Sequence, residues 1–258
     1  MARRKSIDLA IPARHPSPGD PRAWVRRIVV AQWGRTIAEA FQTICSQAFP
    51  AAEICACSSG VTTLQALRNR PADVLLLAMS LPDMDGGDVL QRVTSEKLSR
   101  RVLVVCHRRD EQCLRTLRDG RFDGLVDTQE ETVPSLIRAL QLVATDAFYV
   151  SPSFREKIVD RTPLGRWLQL TPAELRVFRA IGDGSGNQEA ARNLGLTSAT
   201  VQTHRRNLMK KIGISTSAKL VFEAVRLGVV RFTDDGQVIR PGFESALGPN
   251  PPFAAVLE

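Results

Sequence analysis

Short apolar runs alternate with amphipathic stretches between residues 27 and 145. Five runs predict buried strands, at residues 28–31, 53–57, 74–77, 102–106 and 124–126. Each is followed by a stretch that predicts a helix, near residues 36–49, 61–70, 87–98, 111–119 and 131–145. Parallel strands need helical crossovers, and those helices cover both faces of the sheet. The alternation therefore predicts an α/β doubly wound parallel sheet.

From residue 170 the apolar positions follow a helical period without a strand signal. Residues 171–174, Thr-Pro-Ala-Glu, form a capping box with proline at the first helical position, which predicts the start of a helix. Residues 187–194 predict a short helix, Gly195 a turn and residues 197–212 a second helix. This order is a helix-turn-helix, and a last helix over 217–227 completes a small all-α domain.

The segment 197–212 has one apolar and one basic side. At about 100° per residue, Val201, Leu208 and Ile212 fall in a narrow arc. The opposite side presents Ala199, Gln202, Thr203, Arg206 and Lys210. Thr197 suits the N-cap and Gly213 the end of the helix. The segment has no acidic residue to offset its four basic ones, Arg205, Arg206, Lys210 and Lys211.

Three segments flank or join the predicted domains, which span 27–145 and 170–230. Residues 1–26 are rich in proline and arginine without apolar periodicity, which predicts a flexible basic tail. Residues 146–169 contain two Ser/Thr-Pro pairs and are expected to form a linker. Residues 231–258 contain four prolines and lack periodicity, which predicts a disordered tail.

The charge of the chain favours an anionic partner. Its 258 residues carry a formal net charge of +8, and the isoelectric point is about 9.8. Charge alone does not separate nucleic acid from a membrane surface, but residues 170–230 hold nine basic and four acidic side chains. The sequence has no run of about 18 apolar residues and no uninterrupted apolar stretch behind its N-terminal arginines. We therefore expect a cytoplasmic protein without a membrane partner.

No catalytic or cofactor chemistry is predicted. The five cysteines are an odd number and none stands with histidines at metal-ligand spacing, so buried reduced thiols are expected. Cys55 and Cys57 share one side of a predicted strand, which leaves chelation or oxidation open for that pair. The sequence shows neither a nucleophile beside a base nor a phosphate-cradling glycine loop. We expect a protein that is not an enzyme and needs no metal or cofactor.

Residues 170–230 resemble the LuxR/NarL-type DNA-binding domain. The resemblance rests on four motifs in order, Leu-Thr-Pro-Ala-Glu at 170–174, Asn-Gln-Glu-Ala-Ala at 187–191, Thr-Val-Gln-Thr-His at 200–204 and Lys-Ile-Gly at 211–213. It implies that the second helix enters the major groove of double-stranded DNA, with Gln202, Thr203 and Arg206 at base edges. The other DNA-contacting candidates are Thr197, Thr200, Arg205, Lys210 and Lys211.

Two alternatives remain for the partner of Arg205 and two for the role of the last helix. Arg205 falls on the buried side of the helix, so its guanidinium is expected to reach either Glu174 or a DNA phosphate. The last helix contributes to dimer contacts in the family. Val221 and Val225 either take that role or pack in the core.

Residues 27–145 resemble the receiver domain of bacterial response regulators, which is flavodoxin-like. The resemblance is most specific over residues 73–86. The family's phosphate-accepting aspartate falls at Ala78, at the C-terminal end of the third strand. This chain also has different residues at the family's other chemical positions. The family's Mg²⁺-holding acidic pair aligns with Gln32 and Trp33. Its Thr or Ser aligns with Cys106, and its Lys aligns with Asp127 or Thr128.

These departures remove the phosphorylation chemistry that the resemblance implies. An acyl phosphate needs a carboxylate nucleophile, and Mg²⁺ needs hard oxygen ligands. Asp83 and Asp85 lie nearby, but the loop in which they stand normally carries acidic residues in turn roles. We interpret the region as a pseudo-receiver, a module for interaction or dimerisation.

The leading hypothesis is a sequence-specific, DNA-binding transcription regulator, an atypical response regulator that aspartyl phosphorylation does not control. It would bind double-stranded DNA as a homodimer. The alternative is an interaction partner that forms a heterodimer with another response regulator and modulates it. A third hypothesis places a small ligand at the vacated site, where Ala78 leaves room beside Trp33.

Overall fold

A computed structural model of the protein describes residues 24–159, 170–233 and 235–242. Three parts of the predicted flanking segments lie outside the described residues. They are residues 1–23 of the basic tail, residues 160–169 of the linker and residues 243–258 of the C-terminal tail.

The sheet has six strands, all parallel, in the order β2-β1-β3-β4-β5-β6. The strands are β1 (Arg27–Ala31), β2 (Glu53–Cys57), β3 (Ala72–Ala78), β4 (Ser99–Cys106), β5 (Gly124–Asp127) and β6 (Tyr149–Val150). Every residue of β1 and all but one of β3 are buried, as expected of strands covered on both faces.

Helices cover both faces of this sheet, and with it they form what we call the sheet unit. They are α1 (Arg35–Ala48), α2 (Gly60–Asn69), α3 (Gly86–Ser95), α4 (Glu111–Asp119), α5 (Val133–Ala144) and α6 (Pro152–Val159). Helices α1 and α5 contact each other, whereas α3 contacts α2 and α4. The predicted α/β doubly wound parallel sheet is confirmed.

The ordered unit extends beyond both ends of the predicted domain. The expectation of a linker from residue 146 is wrong for residues 146–159, because β6 adds to the sheet and Phe154 of α6 is fully buried in the core. The N–H of Ser151 also donates to the Leu125 carbonyl at 2.9 Å. The expectation of a flexible tail to residue 26 is wrong for its last three residues, since Val25 is buried and the Arg26 N–H donates to Asp73. Two-residue strands and single buried side chains are too short to give a periodic signal.

Four helices form the second part of the chain, which we call the helical unit. They are α7 (Pro172–Ile181), α8 (Asn187–Leu194), α9 (Ser198–Ile212) and α10 (Ser217–Arg226). Both hydrogen bonds of the predicted capping box between Thr171 and Glu174 are present at the start of α7. Phe178 of α7, Leu208 of α9 and Leu220 of α10 are fully buried at the centre of this unit.

A short hairpin follows α10 and corrects the predicted disordered tail for residues 231–233 and 235–242. Strands β7 (Arg231–Phe232) and β8 (Val238–Ile239) pair antiparallel. The Thr233 N–H donates to the Gln237 carbonyl at 2.9 Å, and Gly236 adopts a φ of 80° in the turn. The Asp-Gly pair at 235–236 is a hairpin signal, but it does not belong to any periodic apolar pattern.

The helical unit meets the sheet unit at a contact that we call the joint. Three hydrogen bonds cross it at 3.0 Å each, from Gln112 N–H to the Leu227 carbonyl, from Arg231 Nη2 to the Leu81 carbonyl and from Gly242 N–H to the Asp88 carboxylate. Gly228 packs against Asp110 so closely that a Cβ would overlap the carboxylate, and its φ of 72° suits glycine. The joint thus fixes the end of α10 against the beginning of α4.

Replacing Phe154 tests whether residues 146–159 belong to the folded unit. Phe154→Ala is expected to lower the free energy of unfolding by about 3 to 5 kcal/mol, because it empties a fully buried site. Phe148→Ala is the matched control, since Phe148 is 47% exposed and stacks only on Phe122 at 5.8 Å between ring centroids. Urea unfolding of both variants makes the comparison, and equal losses would contradict the burial of Phe154.

Candidate nucleic-acid interface and degenerate receiver site

Helix α9 is positioned by its two caps and by a buried side. The Thr197 hydroxyl accepts from the Thr200 N–H at 3.1 Å, which confirms the predicted N-cap. Gly195 ends α8 and Gly213 ends α9, both in the left-handed region. The predicted arc of Val201, Leu208 and Ile212 is the side of α9 that is buried. The remaining sides of the helix therefore face away from the core.

The exposed side of α9, which we call the basic face, carries Gln202, Thr203, Arg206 and Lys210. The Thr203 hydroxyl donates to the Ala199 carbonyl at 3.0 Å, within the same helix. Within the described residues, no hydrogen bond or ion pair occupies the side chains of Gln202, Arg206 and Lys210, which line a groove of about 640 Å³. Their polar groups are free to meet an external partner.

Arg205 has a structural role that the sequence did not predict. Its Nη1 donates to Asn187 Oδ1 at 3.0 Å, and its Nη2 donates to Ser217 Oγ at 2.8 Å. The expected contact with Glu174 is wrong. Asn187 begins α8 and Ser217 begins α10, so Arg205 brings two helix N-termini beside the basic face. A helix N-terminus carries free N–H groups and attracts anions. Asn187 and Ser217 are thus members of this surface that the sequence patterns did not reveal.

Lys211 is also engaged inside the helical unit. Its Nζ donates to Glu174 Oε2 at 2.7 Å, and Glu174 is only 4% exposed. Burial opposes the charged form of Glu174, but hydrogen bonds from Lys211 and from the Thr171 N–H outweigh it and lower the pKa of Glu174. The ammonium of Lys211 therefore ties α9 to the start of α7, and its contact with DNA stays a prediction.

Ala78, the position predicted to correspond to the family's phosphate acceptor, lies at the carboxyl end of the sheet. Ala78 ends β3 and is 5% exposed, and Gly86 packs so tightly on its carbonyl that a Cβ would overlap it. After β1, Gln32 Nε2 donates to the Trp33 carbonyl at 2.5 Å, and the Trp33 side chain is 41% exposed. None of these three side chains offers the carboxylate oxygen that Mg²⁺ or phosphoryl transfer requires.

The nearby aspartates are engaged in structural contacts. Asp83 accepts from the N–H groups of Gly60 and Val61 at 2.7 and 2.8 Å, so it covers the N-terminus of α2. Asp85 is 2% exposed, caps α3 and pairs with the buried guanidinium of Arg108. These contacts agree with the turn roles expected from the sequence.

The residues at the family's remaining chemical positions, after β4 and β5, also form contacts within the sheet unit. Cys106 is buried at the end of β4, and Thr128 donates its N–H to the Cys106 carbonyl at 3.2 Å. Asp127 is fully buried and accepts from Arg109 and Ser153. Burial raises the pKa of Asp127, but these donors and the Gln129 N–H lower it below its ordinary value. Asp127, one of the two positions expected for the family's lysine, therefore carries a negative charge at neutral pH.

Two further features are absent from the described residues. No group of three or more His, Cys, Asp or Glu side chains in the described ranges is arranged to hold a metal ion. No described helix is long and apolar enough to cross a lipid bilayer.

Comparison with known proteins gives the family. Residues 168–224 match the model described as bacterial regulatory proteins, luxR family. The chain is 33% identical over 165 residues to the probable transcriptional regulatory protein SgaR of Hyphomicrobium methylovorum, which covers 64% of this chain and 75% of that protein. The chain belongs to the luxR family of bacterial regulatory proteins. It is a DNA-binding transcriptional regulator of the LuxR/NarL response-regulator type.

Other similar proteins agree with this placement. The transcriptional regulatory protein UhpA of Escherichia coli (strain K12) is 30% identical over 162 residues, which are 63% of this chain and 79% of UhpA. The structure of RcsB from Salmonella enterica serovar Typhimurium bound to promoter rprA has a TM-score of 0.52 and 19% identity. The match covers 76% of this chain and 96% of that one, and it supports the fold.

Alanine variants of Lys211 and of its neighbour Lys210 distinguish a lysine that stabilises the fold from one that is free to contact DNA. Lys211→Ala is expected to destabilise the protein by about 1 to 3 kcal/mol, because it leaves a buried Glu174 carboxylate without its donor. Lys210→Ala, the matched control, should stay within about 0.5 kcal/mol of the parent. Urea unfolding at neutral pH measures both changes.

The pH dependence gives the same test a second readout. The folded state lowers the pKa of Glu174, so its stabilising contribution is present above the ordinary glutamate pKa and is lost as pH falls through the lowered pKa. The deficit of Lys211→Ala should therefore shrink in acid. A deficit that stays constant from neutral pH to acid would contradict the Glu174 contact.

Proposed function

We propose that this protein recognises specific DNA sequences through the basic face of α9 and does so without aspartyl phosphorylation. One observation carries the proposal. The basic face is exposed, and its Gln202, Arg206 and Lys210 side chains have no hydrogen-bond or ion-pair partner among the described residues, whereas Ala78 stands where the family has its phosphate-accepting carboxylate. We place its action in the cytoplasm, on double-stranded DNA.

The side chains of the basic face suit the edges of base pairs. An α-helix fits the major groove, where glutamine pairs with adenine and arginine pairs with guanine in bidentate fashion. Gln202 and Arg206 are one helical turn apart on the exposed side, so both reach into one groove. Thr203 completes the set and offers its methyl group to a thymine.

Phosphate contacts would come from groups around this face. Lys210 is exposed at the C-terminal end of α9, and Thr197 lies with Thr200 at its N-terminal end. The N-termini of α8 and α10, held together by Arg205, add backbone N–H groups with a favourable dipole. Such contacts fix the register of the protein on DNA but do not select a sequence.

The joint leaves the basic face free. Its hydrogen bonds involve Leu227, Arg231 and Gly242, which all follow α9 in the chain. The basic-face side chains remain exposed while the two units are in contact. DNA binding would thus need no release of one unit from the other, which supports a regulator that binds without a phosphate signal.

We propose a homodimer that uses α10. Phe222 is 66% exposed and Val225 is 44% exposed on this helix. The two positions are three residues apart, so they lie on one side of the helix and form an apolar strip next to the DNA-binding surface. Of the two roles left open for Val225, its exposure favours contact between subunits over packing in the core.

A second candidate is pairing through the sheet unit with another response regulator. Trp33 and Ile37 at the start of α1 and Val133 at the start of α5 are all more than two-fifths exposed. These two helices contact each other, so their exposed apolar side chains could form one continuous surface. Co-purification with a second regulator, together with failure of the pure protein to bind DNA, would favour this candidate.

Arg206 gives the test of sequence recognition. A duplex selected from a random pool by the parent protein serves as the ligand. Arg206→Ala is expected to lose about 1 to 3 kcal/mol of preference for that duplex over a scrambled one, because a bidentate contact to guanine is removed. Fluorescence anisotropy with both duplexes measures the preference.

Lys210→Ala is the control for Arg206. It should weaken binding to both duplexes alike and reduce the dependence of affinity on salt concentration, as expected for a phosphate contact. If both variants bound both duplexes as the parent does, α9 would not be the reading helix.

Acetyl phosphate tests the loss of phosphorylation. Incubation of the full chain with acetyl phosphate and Mg²⁺ should leave its intact mass unchanged, because Ala78 offers no nucleophile and the neighbouring aspartates are engaged. Intact-mass spectrometry provides the readout. A stable adduct of the mass of one phosphoryl group on any aspartate would contradict this part of the proposal.

A further inference from the structure

Two buried cysteines lie in contact beneath the joint. Cys106 ends β4 and Cys113 lies in the first turn of α4, and their Sγ atoms are 3.6 Å apart. Each residue is 1% exposed, and neither forms a disulfide. A disulfide has an S–S length of about 2.0 Å, so bond formation needs the sulfurs to approach by roughly 1.5 Å.

The surroundings of the two thiols shift their pKa values in opposite directions. A hydrogen bond with Cys113 lowers the pKa of Cys106 and outweighs burial, together with a backbone hydrogen bond at Arg108 and the positive charges of Arg108 and Arg109. The same hydrogen bond and burial raise the pKa of Cys113. A thiolate attacks an oxidant faster than a thiol does. Cys106 is therefore suited to react first and Cys113 to complete the bond.

The other cysteines lack this pairing of features. Burial alone raises the pKa of Cys45 to about 12. Burial and the neighbouring Cys55 raise the pKa of Cys57 to about 11. Cys106, by contrast, combines a lowered pKa with a second sulfur at 3.6 Å.

The loop between the two cysteines is part of the joint. It contains Asp110, which caps α4 by accepting from the Cys113 N–H at 2.9 Å and packs against Gly228. Gln112, the residue before Cys113, donates its N–H to the Leu227 carbonyl of the helical unit. A displacement of Cys113 toward Cys106 would therefore shift the groups that hold α10 against α4.

We propose that Cys106 and Cys113 form a reversible dithiol–disulfide site that peroxide oxidises, and that closing the bond loosens the joint. The Cys106 sulfur attacks one peroxide oxygen, the O–O bond breaks and water leaves, which gives a sulfenic acid. The Cys113 thiol then attacks the Cys106 sulfur. The S–O bond breaks, its oxygen leaves as water and the S–S bond forms. Two thiols lose two protons and two electrons, and one peroxide becomes two waters.

The site is tested with hydrogen peroxide on the full-length protein. The expected product has lost two hydrogens from its intact mass, and a protease digest under non-reducing conditions should give one peptide pair linked through Cys106 and Cys113. Dithiothreitol should restore the original mass. The Cys55→Ser variant should form the same link, whereas Cys113→Ala and Cys106→Ser should not.

Hydrogen exchange reports the effect on the joint. Oxidation should speed deuterium uptake in the peptide that contains Gln112, since its N–H loses the Leu227 carbonyl, and should leave peptides of α1 unchanged. Neither readout uses DNA, so the result is independent of the proposed DNA function. Absence of the Cys106–Cys113 link at peroxide levels that oxidise Cys55, or a link without faster uptake at Gln112, would overturn the proposal.

Discussion

The guanidinium of Arg108 holds the loops at the carboxyl end of the sheet together. It pairs with Asp85 at the start of α3, donates to the Met79 carbonyl at 3.1 Å and reaches Asp110 before α4 at 2.8 and 3.0 Å. Burial works against its charge, but the surrounding carboxylates raise the pKa of Arg108 well above its ordinary value. Removing one partner from a buried ion pair costs about 3 to 5 kcal/mol, so the loops depend on this side chain.

This arrangement connects the carboxyl end of the sheet to the helical unit. Asp110 contacts Arg108 on one side and Gly228 on the other, and the Arg231 side chain reaches the Leu81 carbonyl in the loop after β3. The buried cation of Arg108 lies between these loops, so the contacts to the helical unit rest on its charge.

The sequence was sufficient where a pattern repeats or a cap has a local signature. Continuous apolar runs predicted β1 to β5 within a few residues, because helices on both faces exclude polar side chains. The capping box at Thr171 and the glycine at 195 predicted the helix-turn-helix, since both act within one helical turn. Strand β6 and the hairpin β7–β8 were missed, because two-residue strands have no period.

Side-chain partners were predicted less well than positions. The basic face of α9 follows from the helical period alone, and the structure leaves it exposed. Lys211 and Arg205 occupy the same helix, but they pair with Glu174 in α7 and with Asn187 and Ser217 in α8 and α10. Those contacts depend on how helices pack across the unit, which spacing within one helix does not specify. Positive charge in a segment therefore indicated the surface but not which charges remain free for DNA.

Recognition of DNA without phosphorylation is tested most directly by the affinity of the untreated full chain for its selected duplex, measured by fluorescence anisotropy before and after incubation with acetyl phosphate and Mg²⁺. We expect specific binding by the untreated protein and the same dissociation constant after incubation. Binding that appears only after acetyl phosphate treatment, or that strengthens about tenfold or more, a gain of about 1.4 kcal/mol, would contradict it.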